Sequence, residues 1–148
     1  MQAKDMMTSN PACCSPKDTI REVARMMVEH DCGEIPVVDM DNHPIGVITD
    51  RDICCRVAAQ GYDTNTAIVH DNMSTPAITV HMQDSTDRCC SVMEEHMIRR
   101  VPVVDSEGCC VGIIAQADFA NKADSYSVSR LVKEVSAPSD PMAQQTLS

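Results

Sequence analysis

Gly46-Val47-Ile48-Thr49-Asp50-Arg51-Asp52 is the stretch of the chain that decides the fold. Its apolar half is typical of a β-strand, and its polar half is typical of a helix start, where Thr49 or Asp50 would cap the free N–H groups. The stretch returns later in the chain as Gly112-Ile113-Ile114-Ala115-Gln116-Ala117-Asp118. The chain therefore contains the same strand-to-helix junction twice.

The duplication extends well beyond this junction. Ile35-Pro36-Val37-Val38-Asp39 is copied by Val101-Pro102-Val103-Val104-Asp105 at the offset that separates Gly46 from Gly112, and Asp18 is copied by Asp84 at the same offset. A gap-free register over this length indicates an internal repeat. The patterns in each copy predict a short strand, an amphipathic helix, a hairpin and a second helix, in the order β-α-β-β-α.

Individual elements follow from the same patterns. The first copy predicts a loop over residues 6–11, a strand over 12–15, a helix from a cap at Asp18 or Thr19 to about residue 30, a hairpin over 35–48 and a helix over 51–59. The second copy predicts a strand over 78–81 and a helix that opens at Asp84.

The predicted fold class is α/β (α+β), with two repeats packed about a pseudo-twofold axis. Each repeat has a small sheet with helices on one face, so its twin is the natural cover for the apolar surface that is left. The predicted boundaries are 1–62 for the first repeat, 63–72 for a linker with a short helix over 66–72, 73–123 for the second repeat, and 124–148 for a C-terminal helical segment and disordered tail. Clefts are expected between the repeats.

The composition excludes several functional classes. The 148 residues include no Trp, one Phe and two Tyr, and the formal net charge is −10. Nucleic-acid binders need aromatic side chains that stack on bases or a basic face that follows the phosphate backbone, and the composition of this chain favours neither. It also lacks an apolar run of membrane-span length and an N-terminal signal core. We therefore expect a cytoplasmic protein without nucleic-acid or membrane contact.

Cysteine is unusually frequent. Eight of the nine cysteines form adjacent pairs, and none has the C-x-x-C spacing of zinc or dithiol sites. Without an export signal, reduced thiols are expected, packed as small apolar side chains and binding no metal. Thiol chemistry is the one catalytic alternative, since the chain has no P-loop, nucleophile elbow or zinc-protease motif.

The repeated segments resemble a tandem pair of cystathionine β-synthase (CBS) domains, also called a Bateman module, of the stand-alone bacterial type. The resemblance covers residues 5 to about 123, with Met7-Thr8 and Met73-Ser74 in front of the hairpins and junctions quoted above. It implies a regulatory module that is not an enzyme, requires no cofactor and tends to form a homodimer. It also implies that AMP, ADP, ATP or S-adenosylmethionine binds in the clefts between the repeats.

The resemblance implies a ribose-binding motif, Gly-h-x-Ser/Thr-x-x-Asp, in which h is apolar. The first repeat satisfies it with Gly46, Thr49 and Asp52, whose hydroxyl and carboxylate can hydrogen-bond to ribose hydroxyls. The second repeat keeps Asp118 but has Ala115 in place of the hydroxyl, so the second site is expected to bind more weakly, to be empty or to hold another ligand. The alternative for Thr49 and Asp52 is a capping box at a helix start.

Further contacts are implied by the same resemblance. Adenine would contact Cys14, Ile35, Pro36 and Val37, with Val80, Val101 and Val103 as counterparts in the second repeat. Core packing explains these residues equally well.

The residues themselves suggest a phosphate contact, because Arg99-Arg100 stands before the second hairpin where the first repeat has Gly33-Glu34. Arg99 or Arg100 is expected to hold phosphate on a nucleotide whose ribose sits on Asp52, with Arg51 and Arg56 as further candidates. The alternative for the arginines is a solvated helix end.

Two functions of different classes follow. The first is a module that senses an adenosyl compound and changes its packing or its contacts with a downstream partner. The second is a structural or interaction protein that acts as a dimer with empty clefts. Asp52 is expected to carry most of the nucleotide binding, and Asp118 much less.

Overall fold

The computed structural model describes residues 1–122 and contains the same arrangement of helices and strands twice. The first half comprises α1 Ala3–Met6, β1 Thr8–Ser9, α2 Ile20–His30, β2 Glu34–Val38, β3 Pro44–Thr49 and α3 Asp50–Asp52, which continues as a π-helix over Ile53–Ala58. The second half comprises α4 Val69–Asn72, β4 Val80–His81, α5 Thr86–His96, β5 Arg100–Val104, β6 Cys110–Ala115 and α6 Gln116–Lys122. The α+β class is confirmed, and the segment predicted over 124–148 lies outside the described residues.

The long helix of each repeat begins at a hydroxyl cap. Thr19 caps α2 in a capping box with Glu22, and its Oγ1 accepts a hydrogen bond from the Glu22 N–H at 3.2 Å. Ser85 caps α5 by accepting from the Arg88 N–H at 3.1 Å. The prediction that Asp84 opens α5 is therefore wrong by one residue, because its carboxylate instead accepts from the His81 N–H in the preceding turn.

The helix predicted over 51–59 is present but is mostly not α-helical. It begins after the cap at Thr49 and changes to π-type hydrogen bonding at Ile53. The hydrogen bond from the Ala59 N–H to the Cys54 carbonyl, at 2.8 Å, has the sequence separation that defines a π-helix. Hydrophobic spacing did not predict this change, because a π-turn alters the register by a single residue.

The two predicted hairpins form. In β2–β3, Glu34 lies opposite Thr49, and in β5–β6, Arg100 lies opposite Ala115. The second hairpin belongs to a four-stranded sheet in the order β1-β6-β5-β4, whereas β2 and β3 form a two-stranded sheet. The strand predicted over 12–15 is reduced to a single bridge between Cys14 and Val37.

The opening segment of each repeat joins the other repeat. Thr8 in β1 pairs with Ile113 in β6, and at equivalent positions Ser74 forms a bridge with Val47 in β3. The loop predicted over residues 6–11 is therefore incorrect in part, since Met6 ends helix α1 and Thr8–Ser9 is a strand. The predicted linker over 63–72 contains helix α4.

Two apolar cores follow from this exchange. Residues from the first repeat and α4 form one core: Cys14, Ile20, Val23, Met27, Ile35, Val37, Ile48, Val57 and Val69. Residues from the second repeat and α1 form the other: Ala3, Met6, Val80, Cys89, Cys90, Val92, Met93, Val101, Val103, Ile114 and Phe119. Helices α1 and α4 thus close the core of the opposite repeat. Within residues 1–122, the structure has no helix with the length and apolarity of a membrane span.

Glycine at the start of each junction permits the exchanged segment to pass close by. A Cβ atom on Gly46 would lie 2.7 Å from the backbone oxygen of Ser74, which is closer than real Cβ atoms approach. A Cβ atom on Gly112 would overlap the side chain of Met7. The first residue of the Gly-h-x-Ser/Thr-x-x-Asp pattern is therefore explained by packing between repeats.

Candidate functional site

A cavity of about 640 Å³ lies between the two repeats, beside the start of α6. This volume is in the range of small-molecule sites. Its walls come from the segment after β1, the end of α2, the start of β2, and β5, β6 and α6. The lining residues are Thr8, Asn10, Pro11, Ala12, Met27, His30, Asp31, Cys32, Gly33, Glu34, Asp50, Arg100, Ile113, Ala115 and Asp118.

Backbone hydrogen bonds fix the loops that carry the lining residues. The Asp50 N–H donates to the Gly33 carbonyl at 2.9 Å, and the Gln116 N–H donates to the Arg99 carbonyl at 2.8 Å. Each bond ties the start of a junction helix to the residue before the matching hairpin. The backbone that carries these lining side chains is therefore held in place by hydrogen bonds.

Asp118 presents a carboxylate at the cavity wall. One oxygen, Oδ2, accepts a hydrogen bond from the Ala115 N–H at 2.8 Å. The same hydrogen bond, from the Thr49 N–H to Asp52 Oδ2, is one of the two in the capping box at the other junction. The second bond of that box is accepted by the Thr49 hydroxyl and has no counterpart here, because residue 115 is alanine. Asp118 is half-buried, and its position at the wall leaves it available to a molecule in the cavity.

Glu34 is the most unusual polar group in the wall. It is 8% exposed, and its Oε2 atom is buried without a hydrogen-bond partner among residues 1–122. Burial raises the pKa of Glu34 to about 7; the nearby Arg100 opposes this rise, and the charges of Asp52 and Asp50 add to it. A buried carboxylate oxygen with no partner is energetically unfavourable, so burial favours the protonated, neutral form of this carboxyl group.

Arg100 and Asp50 lie together against the backbone of Gly33. A Cβ atom on Gly33 would be 2.8 Å from Oδ2 of Asp50 and 3.1 Å from Nη2 of Arg100. The absence of a side chain at residue 33 therefore leaves room for both side chains.

The other junction is arranged differently. Asp52 is 8% exposed; its N–H donates to Thr49 Oγ1 and its Oδ2 accepts from the Thr49 N–H, both at 3.0 Å. Ser74 Oγ donates to both carboxylate oxygens of Asp52, at 3.2 and 3.3 Å, and Arg56 Nε lies 3.8 Å from Oδ1. Thr49 and Asp52 therefore form the capping box that was the alternative to a ribose site, and Asp52 is also bonded to the exchanged segment.

The structure brings together two of the predicted site residues, Arg100 and Asp118, in one cavity. The remaining predicted residues do not line it: Cys14, Ile35, Pro36, Val37, Thr49, Arg51, Asp52, Arg56 and Arg99. Arg100 was expected to serve the site of Asp52, but the register of β5 and β6 places it opposite Ala115 and in the cavity of Asp118.

The residues predicted to contact adenine lie in the apolar cores. Cys14, Ile35 and Val37 pack in the first core, and Val80, Val101 and Val103 pack in the second. Core packing, the alternative given for these side chains, accounts for their burial because alternate strand residues face the helices. Arg51 and Arg99 are exposed.

Sequence reasoning missed Glu34 and Asp50 as lining residues. Glu34 did carry a signal, because it is a carboxylate directly before an apolar strand, at the position that Arg100 occupies in the second repeat. Asp50 lies inside the motif but at a variable position. Their meeting with Asp118 depends on packing between repeats, which the sequence pattern does not specify.

The cysteines divide by environment. Burial raises the pKa of Cys14 to about 12 and that of Cys89 to about 11. The pKa of Cys13 is lowered because the Cys110 thiol donates a hydrogen bond to it, and the pKa of Cys110 is correspondingly raised. Within residues 1–122 there is no group of three or more His, Cys, Asp or Glu side chains arranged to hold a metal ion.

Duplicated hairpins, exchanged opening segments and a cleft at the repeat interface define a tandem-repeat module of the Bateman type. A profile of the CBS domain matches residues 3–58 and 67–124, and the chain belongs to the CBS domain family as a tandem pair. The family prediction is confirmed.

Relatives include both sequences and solved structures. Hypoxic response protein 1 of Mycobacterium tuberculosis is 35% identical over 136 residues, which cover 92% of this chain and 94% of the relative. The CBS domain-containing protein YhcV of Bacillus subtilis is 42% identical over 117 residues, which cover 79% of this chain and 81% of the relative.

Two crystal structures have the same fold. Hypoxic Response Protein I, solved with two coordinated zinc ions, aligns with a TM-score of 0.76 at 35% identity and covers 82% of this chain and 98% of its own. The CBS domain pair of protein MJ0100, solved in complex with 5′-methylthioadenosine and S-adenosylmethionine, aligns with a TM-score of 0.73 at 28% identity. That alignment covers 81% of this chain and 93% of the MJ0100 pair.

Proposed function

We propose that this chain is a regulatory module that binds an adenosyl compound in the cavity between its two CBS repeats. The observation that carries the proposal is the 640 Å³ cavity that places Asp118, at the ribose position of the motif, opposite a wall formed by the other repeat. The complex of the MJ0100 pair with two adenosyl compounds supports the ligand class.

The cavity suggests a role for each wall. Asp118 accepts hydrogen bonds from the ribose hydroxyls through the oxygen that the Ala115 N–H does not contact. The segment from Thr8 to Ala12 belongs to the exchanged strand of the first repeat and forms the facing wall. A ligand held between the two repeats favours the packing in which it fits, which is how binding would be transmitted to a partner.

The site at Thr49 and Asp52 stays a prediction. From the sequence it is expected to bind ligand more tightly than the site at Asp118, and we propose the opposite order. Asp52 already accepts hydrogen bonds from the Thr49 N–H and the Ser74 hydroxyl, so a ribose there would have to displace Ser74. Asp118 lies at an open cavity, and the side-chain hydrogen bond found for its carboxylate among residues 1–122 is the one from the Ala115 N–H. We therefore expect the first ligand molecule to bind at Asp118.

Thermal unfolding tests the proposal. AMP, ATP and S-adenosylmethionine are added separately to ligand-free protein, and a ligand that binds the folded state raises the melting temperature. Asp118→Asn should abolish most of that rise, whereas Asp52→Asn should lower the melting temperature of the free protein and retain the rise. No response to any of the three compounds would contradict the proposal and favour the second function, a dimer with empty clefts.

The homodimer is part of the same proposal. Val28 on α2 and Met40 in the β2–β3 turn are 82% and 102% exposed, which is high for apolar side chains. Sedimentation velocity with and without ligand measures the oligomeric state directly. A monomer under both conditions would exclude the homodimer and leave ligand binding untouched.

A further inference from the structure

Two cysteines from different repeats meet beside the cavity. The pairing of β1 with β6 continues beyond β1 as the hydrogen bond from the Asn10 N–H to the Val111 carbonyl at 3.2 Å. The next position in this antiparallel register brings Pro11 level with Cys110. The Cys13 thiol turns back to donate to the Pro11 carbonyl at 3.4 Å, and it accepts a hydrogen bond from the Cys110 thiol.

The backbone on both sides of this thiol pair is fixed. The Cys14 N–H, next to Cys13, donates to the Pro36 carbonyl at 3.0 Å. The Cys110 N–H donates to the Asn42 carbonyl at 2.9 Å, and the Cys110 carbonyl accepts from Asn42 Nδ2 at 3.1 Å. A disulfide requires neighbouring Cβ atoms, and thiols already in hydrogen-bond contact can meet this requirement by rotation of their side chains.

The two thiols differ in reactivity. The hydrogen bond from Cys110 lowers the pKa of Cys13, which is half-buried, and the same bond together with burial raises the pKa of Cys110, which is 6% exposed. The thiolate is the form of cysteine that reacts with oxidants. Cys13 is therefore the thiol that reacts first, and Cys110 is the neighbour that can complete a disulfide.

The equivalent positions at the other junction hold no cysteine. Pro44 occupies the position of Cys110 in the first hairpin. Thr79 occupies the position of Cys13, because the residue that follows each of them forms the parallel bridge to its hairpin. A cross-link between repeats can therefore form at one junction and not at its counterpart.

We propose that oxidation joins Cys13 to Cys110 in a disulfide that holds the two repeats together beside the cavity. With hydrogen peroxide as the oxidant, the Cys13 thiolate attacks one oxygen and the O–O bond breaks. Cys13 becomes a sulfenic acid, and the hydroxide that leaves takes up the proton lost by Cys13 to give water. The Cys110 sulfur then attacks the Cys13 sulfur, the S–O bond breaks, and the Cys110 proton leaves with the hydroxyl group as a second water. Two thiols are thus oxidised while one peroxide is reduced.

The position of the bond gives it a structural effect. Cys13 directly follows the lining residues 10–12 of the first repeat, and Cys110 begins the strand that supplies Ile113 and Ala115 from the second repeat. The disulfide fixes these two walls relative to each other and closes a loop of about 100 residues, which restricts the unfolded chain strongly. The inference goes beyond the proposed function and does not depend on an adenosyl ligand.

Disulfide mapping on the full chain tests the inference. Reduced protein is treated with equimolar hydrogen peroxide, the remaining thiols are blocked with N-ethylmaleimide, and tryptic peptides are analysed by mass spectrometry. We expect a link between the peptides 5–17 and 101–122, which dithiothreitol removes. Because each peptide contains two cysteines, fragmentation of the linked pair identifies the bonded ones.

Two variants provide a matched comparison. Cys13→Ser should abolish the link, whereas Cys109→Ser, which removes the thiol next to Cys110, should retain it. A link that persists in Cys13→Ser, or oxidation that produces no link between the two peptides, would overturn the proposal. If Cys13→Ser does not fold, the fragmentation spectra of the parent chain still decide which cysteines are bonded.

Thermal unfolding without ligand measures the structural effect. The oxidised parent should melt roughly 10 °C higher than the reduced parent, and Cys13→Ser should show no such rise. An unchanged melting temperature in cross-linked protein would show that the bond does not hold the repeats together. Neither measurement involves an adenosyl compound, so failure here leaves the proposed function intact, and failure of ligand binding leaves this inference intact.

Discussion

Glu34 and Arg100 occupy equivalent positions in the two repeats, and both line the same cavity. Each belongs to the first pair of its hairpin, Glu34 opposite Thr49 and Arg100 opposite Ala115. The two hairpins therefore have equivalent backbones, but they bring side chains of opposite charge, Glu34 and Arg100, to the same cavity. This difference makes the cleft at Asp118 chemically distinct from its counterpart at Asp52.

The burial of Glu34 makes folding stability depend on pH. Its pKa is raised from 4.5 to about 7 in the folded protein, so the folded state binds the proton more tightly than the unfolded state does. Stability is therefore lost as the pH rises from about 5 through 7. Glu34→Gln removes this loss and should be more stable than the parent by roughly 3 kcal/mol at pH 8, with a much smaller difference at pH 5.

Urea unfolding at both pH values measures this difference. The groups that act on Glu34 are unchanged in the variant, since Arg100, Asp50 and Asp52 are present in both proteins. A difference of the same size at pH 5 and pH 8 would show that proton binding by Glu34 is not its cause.

The close approach at Gly46 should be intolerant of a side chain. Gly46→Ala places a methyl group 2.7 Å from the Ser74 backbone oxygen, and backbone atoms in a paired segment cannot shift without breaking the Val47–Ser74 hydrogen bonds. We expect a loss of about 1–3 kcal/mol in the free energy of unfolding. Gly112→Ala meets the flexible side chain of Met7 and should lose less.

Chemical denaturation of both glycine variants provides the comparison. A larger loss for Gly112→Ala would mean that the backbone at Met7, and not its side chain, limits the space.

Ala115→Thr should complete the capping box at the second junction. The Ala115 N–H already donates to Asp118 Oδ2, and a threonine hydroxyl would accept from the Asp118 N–H as Thr49 does from Asp52. We expect a gain of about 0.5–1 kcal/mol, read as a rise in the melting temperature. Ala115→Val, which has a similar shape without the hydroxyl, is the control; an equal gain for valine would exclude the cap as the cause.

Thiol reactivity should follow the environments of the paired cysteines. Cys54 and Cys55 are exposed on the π-helix, whereas burial raises the pKa of Cys14 to about 12 and that of Cys89 to about 11. Iodoacetamide at pH 8, followed by peptide mass spectrometry, should modify Cys54 and Cys55 well before Cys14 and Cys89. Early modification of Cys14 in folded protein would contradict its burial in the first core.

The sequence predicted those parts of the fold that depend on local patterns. The hairpins and the long helices follow from short apolar runs separated by a turn and from helical spacing, both of which the repeat shows twice. Helix α1 was missed because its apolar face consists of Ala3 and Met6 alone, and their burial depends on the second repeat. Its equivalent, α4, was predicted as a short helix over 66–72, and Val69 packs in the first core.

The candidate site was predictable only in part for the same reason. Asp118 and Arg100 were found because a motif position and a pair of arginines mark them in the sequence. Arg100 lines the same cavity as Asp118 because of the register of β5 and β6, whereas Glu34 joins them through the packing of the first repeat on the second. A linear pattern contains no information on that packing, so the motif alone favoured Asp52, whereas the proposal built on the cavity favours Asp118.

The exchange of opening segments bears on how such a pair could arise. A single repeat carries its opening helix and strand at one end and, further along, a hairpin whose edge accepts the equivalent segment from elsewhere. Alone, a single repeat would expose both the unpaired edge of its hairpin and the apolar side of its own opening helix. Two copies could cover these surfaces by exchanging their opening segments. An ancestral single-repeat chain would accordingly have been a domain-swapped dimer. Gene fusion would have joined its two subunits into the tandem repeat of the present chain.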